Sequence, residues 1–303
     1  MADRFRSRND GIEWPTLSLL VATYLVWGFA TTALARWAPP LAVLVAAVAI
    51  AQFSSLQHEI LHGHPFRNRR LNEALVFPGL TVWVPYIRFR DTHLAHHHDP
   101  MLTDPYDDPE TNYLDPAVWA RLSRPVRYLL RLNNTLLGRM VLGPVIGTVA
   151  FVRDDWRKAR AGDRAIRDAW LWHVPSLALV LVWLWTVGSM SLGAYLLASY
   201  LGYALLKIRT FLEHRAHEKP RARSAIVEDR GPLALLFLNI NLHAVHHQHP
   251  QVPWYRLPAA YRAGRERYLK RNEGYRYGSY AEVIRAHLLK PKDPVPHPLY
   301  RPR

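Results

Sequence analysis

Three stretches of the chain carry no Asp, Glu, Lys or Arg: Thr16–Ala35, Ala38–Gln57 and Trp170–Leu206. The first two are 20 residues each and the third is 37. About 20 apolar residues let a helix cross the hydrocarbon core of a bilayer. Each of the first two runs therefore predicts one span. Gly188 and Gly193 lie near the middle of the third, which reads as two short spans joined by a tight turn. The predicted spans are about 15–36, 39–57, 170–187 and 190–207, arranged as two hairpins. A polar block (58–169) separates the hairpins, and a polar region (208–303) follows them. Three uncharged runs of this length are hard to house as buried helices of a soluble core. The pattern predicts an all-α integral membrane protein with four transmembrane helices and a single domain over 1–303.

Within the polar block two segments are apolar but interrupted. Glu73–Pro85 is broken by Pro78, Gly79 and Pro85, which suits a segment that dips into the membrane interface. Leu136–Val152 contains Arg139, Gly143, Pro144 and Gly147 and reads as an interfacial helix. The closing KPKDPVPHPLYRPR is basic and proline-rich and is expected to lie extended or loose.

The net charge is +15 and the pI about 10.2, with 11 Trp and 15 Tyr. Such a composition also suits a nucleic-acid binder. The apolar runs decide for a membrane, and no nucleic-acid partner is expected. The charge then sets orientation. The loop between the first two spans holds one Arg, Arg36, and the turn from 187 to 193 holds no Lys or Arg. Arg4, Arg6 and Arg8 precede the first span, and the remaining basic residues crowd the central and C-terminal regions or the span ends facing them. Positive charge stays inside. Both termini and the polar blocks are thus expected in the cytoplasm, as for a protein of a bacterial inner membrane whose first span is a retained anchor. There is no cysteine, which excludes disulfides, thiolate metal sites and cysteine nucleophiles.

The chemistry lies in the histidines. Eleven of the sixteen fall in HEILHGHP (His58, His62, His64), DTHLAHHHDP (His93, His96, His97, His98) and NLHAVHHQHP (His243, His246, His247, His249). A smaller group, FLEHRAHEKP, holds His214 and His217. His58 and His62 stand at i and i+4. His93, His96 and His97 stand at i, i+3 and i+4, and so do His243, His246 and His247. Each set can turn its imidazoles to one side of a helix. A single trio could be a solvated helix face; two H-x-x-H-H trios beside an H-x-x-x-H point to metal. His58, His62 and His214 lie just past the cytoplasmic ends of predicted spans, the two trios follow in the same compartment, and all the groups can converge without crossing the membrane. His58, His62, His93, His96, His97, His214, His243, His246 and His247 make nine imidazoles, too many for one zinc ion, which closes with three or four protein ligands. They suit two ions that keep open positions, and redox-active iron is the natural candidate. The cytoplasmic helical cap is therefore expected to hold a histidine-rich di-metal site.

With these boxes the chain resembles the membrane fatty acid desaturase superfamily. That superfamily carries H-x(3–4)-H, H-x-x-H-H and H-x-x-H-H, matched here by His58-His62, His93-His96-His97 and His243-His246-His247. The superfamily's further histidine after the last span is matched best by His214, with His217 as competitor. The resemblance implies a non-haem di-iron enzyme with two iron ions and O2 as co-substrate, which introduces a double bond into a membrane acyl-lipid. The ligands do no acid–base work; the metal carries the chemistry. The chain holds neither an H-P-G-G segment nor a glycine-rich dinucleotide fingerprint, so a separate electron donor of ferredoxin or cytochrome type is implied, and the basic face could dock it. A related di-iron hydroxylase or carotenoid ketolase is the alternative, since HPQVPWYRLP (249–258) is similar to tryptophan-rich segments that follow the last box in ketolases.

Several neighbours could orient ligands or line the site: Glu59, Asp91, Glu213, Asn239, His64, His98, His217 and His249, along with Asp104, Asp107, Asp108 and Glu110 in TDPYDDPE. His173, His287 and His297 are expected to stand apart. His58-Glu59-x-x-His62 also matches a zinc-protease helix with Glu59 as base. That reading, like a non-enzymatic metal- or lipid-binding protein, gives the two H-x-x-H-H trios no catalytic task.

Overall fold

A computed structural model describes residues 11–98 and 101–301. Arg4, Arg6 and Arg8, which bear on the expected orientation, lie outside the described residues. The described chain is helical, with short 3-10 turns and one parallel pairing of Ile226–Val227 with Arg276–Tyr277. Its internal contacts divide it into two compact units: a span unit (described residues of 9–91 and 144–206) and a histidine unit (described residues of 92–143 and 207–303).

Three helices of the span unit are long and apolar enough to cross a membrane: Trp14–Trp37, Pro39–Leu61 and Arg164–Thr186. The first takes a π-helical turn at Ala30–Leu34. Thr31 Oγ1 bonds back to the Trp27 carbonyl (2.9 Å) and Thr32 Oγ1 to that of Gly28 (2.6 Å), while Trp183 Nε1 donates to Thr31 Oγ1 (3.0 Å). Side-chain insertion of this kind loosens the i to i−4 ladder. Pro39 and Pro40 then open the second helix, where no amide partner is needed. Large apolar side chains point outward from these helices, with Leu25 68%, Val174 64% and Trp185 89% exposed. Such a surface suits lipid rather than water, and the protein is a membrane protein.

The expected fourth span exists as the helix Leu192–Thr210, but it is not among the three that are long and apolar enough. Its polar residues have a task within the unit. Tyr195 OH donates to the Leu80 carbonyl (2.9 Å) and Ser199 Oγ to that of Thr81 (2.7 Å). From the helix Arg164–Thr186, Ser176 Oγ donates to the Phe77 carbonyl (2.6 Å) and His173 Nε2 to that of Val82 (3.0 Å). These four bonds, to the carbonyls of Phe77, Leu80, Thr81 and Val82, satisfy much of the non-helical stretch around Pro78 and Gly79, which apolar surroundings would otherwise forbid. Gly202 completes the packing, since a Cβ there would lie 2.7 Å from the Ala47 carbonyl oxygen. Elsewhere in the unit Arg88 grips Asp155 through two 2.8 Å bonds, and Trp170 Nε1 donates to the same carboxylate (2.8 Å).

Leu136–Val152 falls into two helices, Leu136–Val141 and Gly143–Arg160, separated at Leu142. Val145, Val149, Val152 and Trp156 form an exposed apolar stripe on the second, the geometry of an interfacial helix.

The histidine unit contains short helices joined by capped turns. Its C-terminal tail is extended but not loose. The Leu114 amide donates to the Val295 carbonyl (3.0 Å) and the His297 amide to that of Leu114 (2.8 Å). Tyr113 OH donates to Asp293 Oδ2 (2.7 Å), Asn134 Nδ2 bonds the Asp293 carbonyl, and His297 Nε2 meets Thr103 Oγ1 (3.1 Å). The prolines remove donors of the tail, yet the residues between them pair as an edge would.

Candidate metal centre

Seven of the nine expected ligands lie in the histidine unit. His93, His96 and His97 sit on the helix Tyr86–His98, and His243, His246 and His247 on the short helix His243–Gln248. His214 follows the end of the Leu192–Thr210 helix, in non-helical chain. Helical spacing gives each trio a common face, and the two faces interleave.

Four imidazoles form one cluster. His214 Nε2 lies 2.9 Å from His96 Nε2 and 3.0 Å from His243 Nε2, which is 3.0 Å from His247 Nε2. The candidate ligand atoms of these four all lie within 4.8 Å of one another. Beside it, His246 Nε2 lies 3.1 Å from His97 Nε2, and the His93 ring centroid stands 4.6 Å from that of His97. His97 and His247 stack at 4.2 Å, so the two groups share a wall.

This donor set fits a metal. Asp108 Oδ1 accepts from His96 Nδ1 (2.7 Å) and Glu110 Oε1 from His93 Nδ1 (3.0 Å). A carboxylate only accepts, so each Nδ1 carries the proton and each Nε2 turns toward the other imidazoles. Two nitrogens bound cis to one octahedral ion at about 2.1 Å stand about 3.0 Å apart, close to the spacings found. The electrostatics agree. Burial works against a charged His96, but Glu110, together with the hydrogen bond and charge of Asp108, holds its pKa up at about 9. Burial, then the neighbouring imidazoles, pushes His214, His243 and His247 far below the ordinary range. A cation is welcome at the cluster, and three of its four imidazoles are kept neutral, the form that binds metal.

The other expected site residues are placed as follows. Glu213 bonds Arg209 (2.9 Å) and stands 3.6 Å from His243 Nδ1; burial raises its pKa. Asp91 pairs with Arg90 (2.7 Å). Asn239 Nδ2 donates to the Trp254 carbonyl (3.1 Å), and Asn239 lines a surface cavity with Arg230, Arg262 and Arg265. His98 bonds back to the Leu94 carbonyl (2.6 Å), and His217 faces Glu273 (3.4 Å). His249 packs against the Tyr268 ring. Asp104 Oδ1 accepts the amides of Tyr106 and Asp107 and so shapes the turn leading to Asp108.

In the span unit, His58 lies in the last turn of the Pro39–Leu61 helix and His62 caps it, with ring centroids 5.0 Å apart. Glu59 takes a different direction. It joins a buried triad in which His64 Nδ1 donates to Glu13 Oε2 (2.8 Å) and Nε2 stands 3.8 Å from Glu59 Oε1. Burial opposes a charge on His64, but Glu59, then the bonded Glu13, outweigh it and its pKa is raised.

Sequence reasoning missed Tyr113, Lys292 and Asp293. No spacing rule marks them; only the folded tail brings them beside His214, whose carbonyl accepts from Lys292 Nζ (2.9 Å).

The sequence profile of the family described as fatty acid desaturase matches residues 35–279, a range that includes all nine histidines. A fatty acid desaturase of Bacillus subtilis (strain 168) is 25% identical over 233 residues, which cover 72% of this chain and 66% of that protein. The chain thus spans just under two thirds of its relative.

Proposed function

The chain belongs to the fatty acid desaturase family, and from that premise we propose that it is an O2-dependent acyl-lipid desaturase with a histidine-ligated di-iron centre. The observation that carries the reading is the convergence of four Nε2 atoms in one cluster beside a second imidazole group. In this proposal His96, His214, His243 and His247 hold one iron. His93, His97 and His246 hold the other, completed by His58 and His62 on the strength of their i, i+4 spacing and the family's first box.

Iron bound there would supply the O2 chemistry that removes hydrogen from an unactivated C–H bond. The acyl chain would lose two hydrogens, a separate ferredoxin- or cytochrome-type donor would provide two electrons and the solvent two protons, and O2 would leave as two waters. The protein's own part is orientation. Asp108 and Glu110 fix the tautomers of His96 and His93, and burial keeps His97, His214, His243 and His247 unprotonated. Glu59 serves as a partner of His64 rather than as the base of a protease.

Four helices cross the membrane as two hairpins, with Leu192–Thr210 as the fourth. Both termini and the site face the cytoplasm of a bacterial inner membrane in this reading, and the distribution of Lys and Arg supports that orientation. The stripe from Val145 to Trp156 then rests at the interface.

Expression in a host that lacks desaturation, followed by mass spectrometry of total lipids, tests the reading. New double bonds at a defined position are the expected result. Oxygen added to acyl chains or carotenoids would move the assignment to a hydroxylase or ketolase. Unchanged lipids in cells supplied with iron and electron donor, from protein that carries metal, would overturn it.

A further inference from the structure

His214 is the only member of the four-imidazole cluster not carried on a helix. The helix before it ends at Thr210, and an isolated antiparallel bridge to Ser224 is its local backbone support. Its ring nevertheless makes two of the cluster's three closest contacts, at 2.9 and 3.0 Å. A ligand this central on irregular chain needs its backbone held from outside, because ligand direction follows from the groups that support it.

The C-terminal tail supplies that support. Lys292 Nζ donates to the His214 carbonyl (2.9 Å) and pairs with Asp293, and its side chain is only 8% exposed. It also stands 5.8 Å from the Tyr275 ring centroid. Tyr113 OH donates to Asp293 (2.7 Å) and accepts the amide of Ala216 (2.9 Å), two residues beyond His214. The carbonyl of the ligand and the amide two residues beyond it are thus tied to one Lys-Asp-Tyr unit. Farther along, His297 bonds Thr103, whose amide donates to Asp108 Oδ2 (2.8 Å), and Asp108 orients His96. The tail therefore reaches the supports of two of the four imidazoles.

We propose that residues 292–297 form a strap that positions the four-histidine metal site, with Lys292 as the positioning residue for His214. The proposal rests on the reading of this cluster as one of two metal sites. A buried ammonium is costly unless its partners are fixed, so Lys292 and the loop around His214 are held in place together. A strap that only stabilised the fold would weaken both metal sites alike as the unit loosened. A positioning strap weakens one.

The test uses the full chain in detergent, loaded anaerobically with ferrous iron, with metal per chain measured while a ferrous chelator is titrated in. Wild type is expected to hold two ions per chain. Lys292→Met should release one ion at roughly 10–100-fold lower chelator concentration, the usual effect of removing a group that orients a ligand, and keep the other at the wild-type concentration. Tyr113→Phe, which removes one hydroxyl, should loosen the same ion by a smaller factor. It decides alone where Lys292→Met does not accumulate as folded protein. Wild-type release curves in Tyr113→Phe and any folded Lys292→Met, or loss of both ions together at the unfolding transition, would overturn the strap. Fewer than two ions in the wild type would instead overturn the di-metal reading on which it rests.

Discussion

His96→Ala is expected to hold one metal ion per chain in place of two and to keep less than about 1% of wild-type desaturation. Loss of a group that merely orients a ligand costs about 10–100-fold, and loss of the ligand should cost at least the upper end of that range. The chain should still fold, because Asp108, the buried partner of His96, keeps two backbone donors, Thr103 N (2.8 Å) and Glu110 N (2.9 Å). The carboxylate is not left bare, so the large penalty for an unsatisfied buried charge does not arise. Asp108→Ala provides the graded arm. It leaves the imidazole but removes the acceptor at Nδ1, and metal affinity at this cluster should fall by about 10–100-fold. Metal content by elemental analysis and double bonds by lipid mass spectrometry read both effects. An His96→Ala protein with its full metal content and activity would contradict the ligand assignment.

What the sequence revealed about the site, and what it hid, follows from the range of the interactions. The trios were legible because i, i+3, i+4 spacing is a property of any helix, and both trios do sit on helices. Their division was not. His96 and His97 are adjacent in sequence, yet His96 joins His214, while His97 faces His246 and stacks on His247. Spacing tells which rings share a face, but only the opposing helix decides which rings meet in one cluster. The acids show the same limit. TDPYDDPE offered four candidates, and the turn built on Asp104 singles out Asp108 and Glu110.

The fold was legible to a similar depth. Uncharged length marked three helices that suffice to cross a membrane. The helix Leu192–Thr210 carries Lys207 and Arg209 in its last turn, and its Tyr195 and Ser199 serve the carbonyls of Leu80 and Thr81, a partnership across more than a hundred residues that periodicity does not register. The tail misled for a related reason. Proline content shows that a segment cannot pair with itself, and says nothing of the partners that Leu114 and Tyr113 offer it.

The largest effect on stability is expected at Asp155. Arg88 and Asp155 are both almost inaccessible, at 11% and 2% side-chain exposure, and two 2.8 Å bonds join them. Breaking such a pair from one side costs about 3–5 kcal/mol, because the guanidinium loses its bidentate carboxylate and keeps the charges of Asp91 and Asp163 near it. Asp155→Ala also deprives Trp170 Nε1 of its acceptor. For a chain of this size the loss corresponds to a fall of roughly 6–20 °C in the midpoint of thermal unfolding, measurable in detergent by circular dichroism, with Trp170 reporting through fluorescence. Asp155→Asn keeps an acceptor for Trp170 but not the charge and should fall between. The double variant Arg88→Met with Asp155→Leu is the decisive comparison. Replacing both members of a buried pair by apolar groups is often neutral or stabilising, so it should recover most of what Asp155→Ala loses. If the double variant is as unstable as Asp155→Ala, packing around Trp170 and not the orphaned charge is the origin of the loss. If Asp155→Ala unfolds at the wild-type temperature, the pair contributes nothing to the stability of the span unit.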